Sequence, residues 1–265
     1  MKPKLDGLLE KLGWTIDSSV GVAFSGGGVK GFAHIGILMA FERFGLKPDI
    51  MSGVSAGSIA AVLYASGLGP KDIIKCFTDS SKLGDFTEFA LPKESFMKLD
   101  KFGKLLDSWL PVKYLEDLKI PTVVCATDLD QGKSVGWSKG EIVPRVMASC
   151  SIPVIFKPIR IGNSRYVDGG VLRNLPAWAI RSYCKTLYGC NCSPARKLKD
   201  PKANITDIAY RTFHLMMKSN IPQDLKLCDH IIEVPNMTGT FDMSYLLKGV
   251  NAGYEAASKT LEKIL

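Results

Sequence analysis

Long apolar runs, histidines and paired cysteines are scarce in this 265-residue chain, and each shortage excludes a class of protein. No apolar stretch reaches the roughly 18 residues that span a bilayer, which excludes a bundle of membrane helices. The opening Met1-Lys2-Pro3-Lys4-Leu5-Asp6 carries no apolar core of the signal-peptide kind. A cytoplasmic location is therefore expected, peripheral to a membrane at most. Cysteines number seven, an odd and scattered set, which favours free thiols in a reducing compartment. Cys184, Cys190 and Cys192 lie close together, but a C-x-C with a lone third cysteine is a poor zinc spacing. No metal and no cofactor is expected. The phosphate-loop pattern G-x-x-x-x-G-K-[ST] is absent, as are internal repeats and low-complexity linkers.

What remains is an ordinary globular composition, 46% hydrophobic and 23% charged, with a net charge of +8. That excess suits an anionic membrane surface; nucleic acid is not expected, and a basic surface that is only solvated is the plain alternative. Strand-like runs occur at 20–25, 48–52, 122–127, 133–137, 185–188 and 230–234, and two short strands flank the Gly162-Asn163 turn. Helical patterns cover 32–44, 58–65, 141–149, 174–183, 204–218 and 244–264, with Gly45 closing the first and Pro70 opening one more. Leu5, Leu8, Leu9 and Leu12 have the spacing of a short amphipathic helix over 1–12. Strands alternating with helices predict an α/β fold, a three-layer sandwich around a mostly parallel central sheet, in a single domain over 1–265. Its motif-bearing core spans about 20–176. Segments 80–110 and 190–225 read as access or surface segments, with 195–204 as a surface loop.

Three glycine-bearing motifs follow predicted strands. Gly26-Gly27-Gly28-Val29-Lys30-Gly31 leaves successive backbone N–H groups free at a helix start, an anion cradle to which Lys30 adds a cation. Gly53-Val54-Ser55-Ala56-Gly57 lies between a strand and a helix, the context of a nucleophile elbow. Its glycines clear space where the chain reverses, so the Ser55 hydroxyl points outward beside a helix N-terminus. Asp168-Gly169-Gly170 supplies a carboxylate immediately after the strand ending Arg165-Tyr166-Val167. In open α/β sheets active groups gather at the carboxyl ends of strands, so cradle, serine and carboxylate are expected to meet at one sheet edge. The glycine run also satisfies the dinucleotide fingerprint G-x-G-x-x-G. However, Asp49 lies at the wrong end of its strand to bind a ribose, and that reading leaves Ser55 and Asp168 unexplained.

With G-G-G-x-[RK]-G, G-x-S-x-G and D-G-[GA] in this order, the chain resembles the patatin-like phospholipase family. Ala126-Thr127-Asp128-Leu129 and the A-S-x-x-x-P-x-x-F-x-P block from Ala148 to Pro158 strengthen the likeness. It runs from about Val20 to Pro176 and weakly into 230–232 and 253–257. The resemblance implies a catalytic dyad, Ser55 as nucleophile and Asp168 as general base, hydrolysing fatty-acyl esters of phospholipids through an acyl-enzyme. Gly26, Gly27 and Gly28 would form the oxyanion hole, with Ala56 as a further donor and Lys30, Gly31, Gly53, Gly57 and Gly169 in support. The histidines agree with a dyad. Only His34, His214 and His230 exist, and none follows an acid-bearing turn as a triad histidine would. Phe86, Phe89, Phe96, Met97 and Trp109 would either line an acyl channel or fill the core. A lysophospholipase or esterase acting on small soluble esters is the alternative within the same chemistry. A non-catalytic lipid-binding or regulatory protein on the same scaffold is the alternative outside it.

Overall fold

In the computed structural model, residues 19–79, 95–192, 205–235 and 243–265 are described. The chain opens as β1 (Val20–Phe24), α1 (Phe32–Arg43), β2 (Ile50–Val54), α2 (Ala56–Ala65) and α3 (Pro70–Thr78). It continues as α4 (Ser95–Trp109), β3 (Thr122–Asp128), β4 (Lys133–Trp137), α5 (Ile142–Ser149), β5 (Ile159–Ile161) and β6 (Ser164–Asp168). Then follow β7 (Thr186–Asn191), α6 (Ile205–Leu225), β8 (His230–Glu233) and α7 (Met243–Leu261). The strands form one sheet in the order β5-β6-β3-β2-β1-β7-β8, with β4 also paired to β3. The run β3-β2-β1-β7-β8 is parallel, whereas β4, β5 and β6 run antiparallel to their neighbours.

Because successive side chains of a strand point to opposite faces, each central strand feeds two cores. Val22, Phe24, Met51, Val124, Tyr188 and Cys190 enter one, packed under the helices. Ala23, Ile50, Val54, Val123, Cys125 and Leu187 enter the other. The helical face is closed by α1 and α7, whose backbones touch: a Cβ on Gly36 would overlap the Val250 carbonyl, and one on Gly253 the Ala33 carbonyl.

The second face departs from expectation. Residues 174–183 form two single 3-10 turns, Pro176–Ala179 and Arg181–Tyr183, not an α-helix. Their backbone groups are held by side chains: the Ser52 hydroxyl donates to Pro176 O at 2.9 Å, and Trp178 N–H donates to Asp224 Oδ1 at 3.1 Å. The elbow strand is also displaced, running Ile50–Val54 and so taking in Gly53. Pairing of Gly21 with Ile50 through Phe24 with Gly53 sets that register, while Asp49 instead caps the Val20 N–H through Oδ2 at 2.7 Å. Segment 95–109, expected to shape access, is a helix that buries Leu99, Phe102, Leu106 and Trp109. Trp109 stacks edge-on with Phe77 at 4.9 Å, which makes it core. Segment 205–225 is not merely surface either, since the inner face of α6 packs on the Asp168 turn. The predicted helix 1–12, the loop 195–204, Phe86 and Phe89 lie outside the described residues, as do the side chains of Phe96 and Met97.

Candidate active site

The register of β3 brings the serine and the aspartate together. β4 occupies one edge of β3 from Val124 to Asp128. β2 and β6 must therefore share the other edge, β2 pairing as far as Cys125 through Val54 and β6 beginning at Ala126 through Asp168. The parallel strand and the antiparallel strand meet end-on, and Ser55 and Asp168 stand at the junction. The sheet-edge rule anticipated the meeting but not its cause, because β6 runs opposite to the parallel strands.

Ser55 sits at φ 52°, ψ −126°, as the residue before α2. This is a region that side-chain-bearing residues rarely adopt, and local contacts hold the chain there. The Ser55 N–H donates to Ser149 Oγ at 2.8 Å, and that hydroxyl donates onward to Cys125 O at 2.6 Å. Ser58 donates through both its amide and its hydroxyl to the Ser55 carbonyl, at 2.9 and 2.7 Å. Gly53 and Gly57 make the turn sterically feasible. A Cβ on Gly53 would strike Ser58 N and Cα, and one on Gly57 would strike the Phe24 and Ser25 carbonyls. Ala56 opens α2, so its N–H has no intrahelical acceptor.

Asp168 is buried, with 1% of its surface exposed. Its N–H donates to Ser151 O at 2.9 Å, and its Oδ1 accepts the Gly170 N–H at 2.7 Å. Burial pushes its carboxyl up to about 7, against the opposing pull of hydrogen bonds from Gly170 N–H and the Ser55 hydroxyl. Ser55, the residue after Val54, and Asp168 thus stand together at the β2–β6 junction, close enough for the hydroxyl to act on the carboxyl. A buried carboxylate poised near neutrality, in contact with a hydroxyl, is the arrangement expected of a general base. Cys150, its thiol kept neutral by burial, touches the Ser55 and Ser58 hydroxyls. Gly169 lies tight against Val54 and the Cys125 carbonyl.

The glycine loop lies beside the serine, but not all of it can serve as a donor. The Gly26 N–H is already committed to Asn174 O at 3.1 Å, so Gly26, expected in the oxyanion hole, does not offer a free amide there. Its Cα faces Ser55 Cβ and Asn174 Oδ1, so a side chain would not fit there. Gly28 follows at φ +57° and is exposed, starting a single 3-10 turn, Gly28–Gly31, capped by Gly27. Among the described residues, neither the Gly27 nor the Gly28 N–H has a backbone acceptor. Gly31 packs against Ala56, which joins the loop to the elbow helix. Lys30 is half-buried, and its charge reaches Cys192 and His214.

His34 is turned away from Ser55. Its Nε2 donates to Ser25 O at 2.8 Å and lies 3.2 Å from Cys192 Sγ, while burial lowers its pKa to about 4. His230 stacks on Tyr188 at 4.9 Å in β8. Sequence reasoning missed Ser149, Asn174 and Asn220. Ser149 stood within the quoted A-S block without a role. Asn220 on α6 clamps the aspartate turn, donating to Gly170 O at 2.8 Å and accepting Asn174 N–H at 2.8 Å. Three residues after Gly170, Arg173 pairs with the buried Asp224 of α6 through Nε and Nη2, at 2.6 and 2.7 Å. A helix distant in sequence gave no local signal for these contacts. Among the described residues, no group of three or more His, Cys, Asp or Glu side chains is arranged to hold a metal.

An uncharacterised NTE family protein of Mycobacterium bovis is 30% identical over 163 residues, covering 60% of this chain and 27% of its own length. The chain thus spans about a quarter of that relative. The uncharacterised protein YqhO of Bacillus subtilis is 29% identical, with 74% of this chain and 78% of the relative covered. The lysophospholipase nte1 of Aspergillus fumigatus is 28% identical over 59% of this chain and 11% of its own. In fold, VipD from Legionella pneumophila superposes with a TM-score of 0.55 at 17% identity, over 93% of this chain and 67% of that one. The patatin-like phospholipase family model matches residues 22–180. The glycine loop, the elbow serine and the aspartate turn all fall within that stretch, and the chain belongs to the patatin-like phospholipase family.

Proposed function

We propose that this chain is a serine lipid acyl hydrolase that cleaves fatty-acyl esters of phospholipids through a Ser55–Asp168 dyad. The observation that carries the reading is the meeting of the elbow serine and the buried Asp168 carboxyl, pushed up to about 7, at the junction of β2 and β6. In the first half-reaction Asp168 takes the Ser55 proton while Oγ attacks the ester carbonyl. The oxyanion forms against the Gly27 and Gly28 N–H groups, with the Ala56 N–H at the helix start as a further donor. Each such donor contributes on the order of 10²–10³ in rate. Collapse of the tetrahedral intermediate passes the proton from Asp168 to the leaving alcohol and leaves an acyl-serine. In the second half Asp168 takes a proton from water, the hydroxide attacks the acyl carbonyl, and Ser55 regains its proton as the fatty acid departs. Acid and base are the same carboxyl at different moments, so no histidine is required.

A lysophospholipid substrate is the second reading, favoured by the likeness to the Aspergillus lysophospholipase. Fatty-acid release from phospholipid vesicles, lysophospholipid and p-nitrophenyl esters tests both. Ser55→Ala and Asp168→Asn should each lose at least ~10³-fold in kcat/KM while keeping the fold. Full activity in Ser55→Ala would sink the mechanism. The ratio of rates on vesicles and lysophospholipid decides between the substrates.

A further inference from the structure

The helix that clamps the catalytic turn has a second face. Phe213, Met217, Ile221 and Asp224 of α6 are buried, and Met217 lies against Gly170. Ten large apolar side chains are exposed among the described residues, and four of them lie on α6: Ile205 at 84%, Ile208 at 55%, Leu215 at 48% and Met216 at 38%. At 3.6 residues per turn these four fall within an arc of about 100°, opposite the buried arc. Such clustering differs from the scattered apolar exposure ordinary on a soluble surface. Arg211 and Lys218 border one edge of the stripe, and beyond Asp207 the sequence contains no further acid until Asp224.

We infer that the outer face of α6 docks this protein on an anionic bilayer surface, with Ile205, Ile208, Leu215 and Met216 in the acyl boundary and Arg211 and Lys218 at the headgroups. The inference rests on the phospholipid-hydrolase reading for its purpose, but its geometry is independent of it. An apolar stripe bordered by cations is the pattern of helices that lie in a membrane interface. The net charge of +8 favours anionic lipid over a second copy of the same cationic chain. Cations also gather where α6 meets the glycine loop. Burial first, then the charges of Lys30 and Arg211, hold His214 down at about 4. The docked face and the clamp residues Asn220 and Asp224 belong to one helix, so docking would hold the Asp168 turn about one helix diameter from the lipid surface.

The test uses the full chain carrying Ser55→Ala, so that vesicles are not consumed. Co-sedimentation with phosphatidylglycerol–phosphatidylcholine vesicles should exceed that with pure phosphatidylcholine at least tenfold, and should weaken in high salt. Ile208→Asp/Leu215→Asp should reduce binding at least tenfold, and Arg211→Ser/Lys218→Ser several-fold. Leu247→Asp, at a half-exposed apolar position on α7, should leave it unchanged. With Ser55 intact, the ratio of vesicle to p-nitrophenyl butyrate hydrolysis should fall in parallel with binding. Unaltered binding in both α6 variants, checked by thermal melts for folding, would overturn the inference. So would equal loss in Leu247→Asp, or a dimer in sedimentation equilibrium that the Ile208→Asp/Leu215→Asp variant abolishes. Wild-type protein that binds vesicles through α6 yet hydrolyses neither substrate would keep the docking face and refute the hydrolase reading instead.

Discussion

In the proposed mechanism Asp168 is the residue on which the chemistry turns, and its burial makes a pH prediction. A carboxyl titrating at about 7 accepts a proton only when ionised, so kcat/KM should rise with pH through about 7 and level off above it. The sign for stability is the reverse. The folded pKa lies above the unfolded value, so the protonated form stabilises the fold fully below about 4. That contribution is lost as pH rises through about 7. Denaturant midpoints measured from pH 4 to 8 should fall less steeply in Asp168→Asn than in the wild type. Ser149 makes a second prediction. Its hydroxyl accepts from the Ser55 N–H and donates to Cys125 O. Ser149→Ala leaves a buried donor and a buried acceptor without partners, a cost of about 1–3 kcal/mol. Loss of that anchor at the strained φ of Ser55 should lower kcat more than it raises KM, which steady-state kinetics on a soluble ester would register. The sequence displayed Ser55 and Asp168 through their glycine neighbours. Ser149 had no comparable flag, since its role exists only once α5 abuts β2 and β3.

Among elements, the crossing of α1 and α7 is the tightest joint. Gly36 and Gly253 allow the two backbones to touch, an arrangement that a single methyl would break. Gly36→Ala should destabilise the protein by about 1–3 kcal/mol or more, because neither helix can yield a flexible side-chain end at the contact. Thermal melts of Gly36→Ala beside a surface control would measure it. Strand and helix existence along 20–79 and 122–168 was legible from apolar runs, Gly45 and Pro70. The turns at 176–183 were not, because their backbone groups are held by Ser52 and Asp224 rather than by neighbours in sequence. The same limit applies to α6, whose amphipathic pattern predicted a helix but not the partner of either face.

For the molecule as a whole, thiol burial gives a test of packing. All seven cysteines are free; Cys76 and Cys228 are partly exposed and the other five are buried. A native thiol titration should show two fast equivalents, with the remainder reacting only on unfolding, and reductant should not shift the melting temperature. Fast labelling of all seven would mean that the two-core packing does not persist in solution. Among the described residues no helix is long and apolar enough to cross a membrane.

The sequence by itself determined the α/β alternation, the strained serine between strand and helix, and the identity of the acidic turn. These are written in local spacing, where glycine marks each place at which backbone must approach backbone. Only the tertiary structure decided why Ser55 and Asp168 meet: β2 and β6 run in opposite directions and abut along one edge of β3. It also removed Gly26 from the set of amide donors, by giving its N–H to Asn174, and turned α6 into a clamp on the aspartate. Hydrogen-bond partners across many residues are set by register and packing, which no single stretch of sequence encodes.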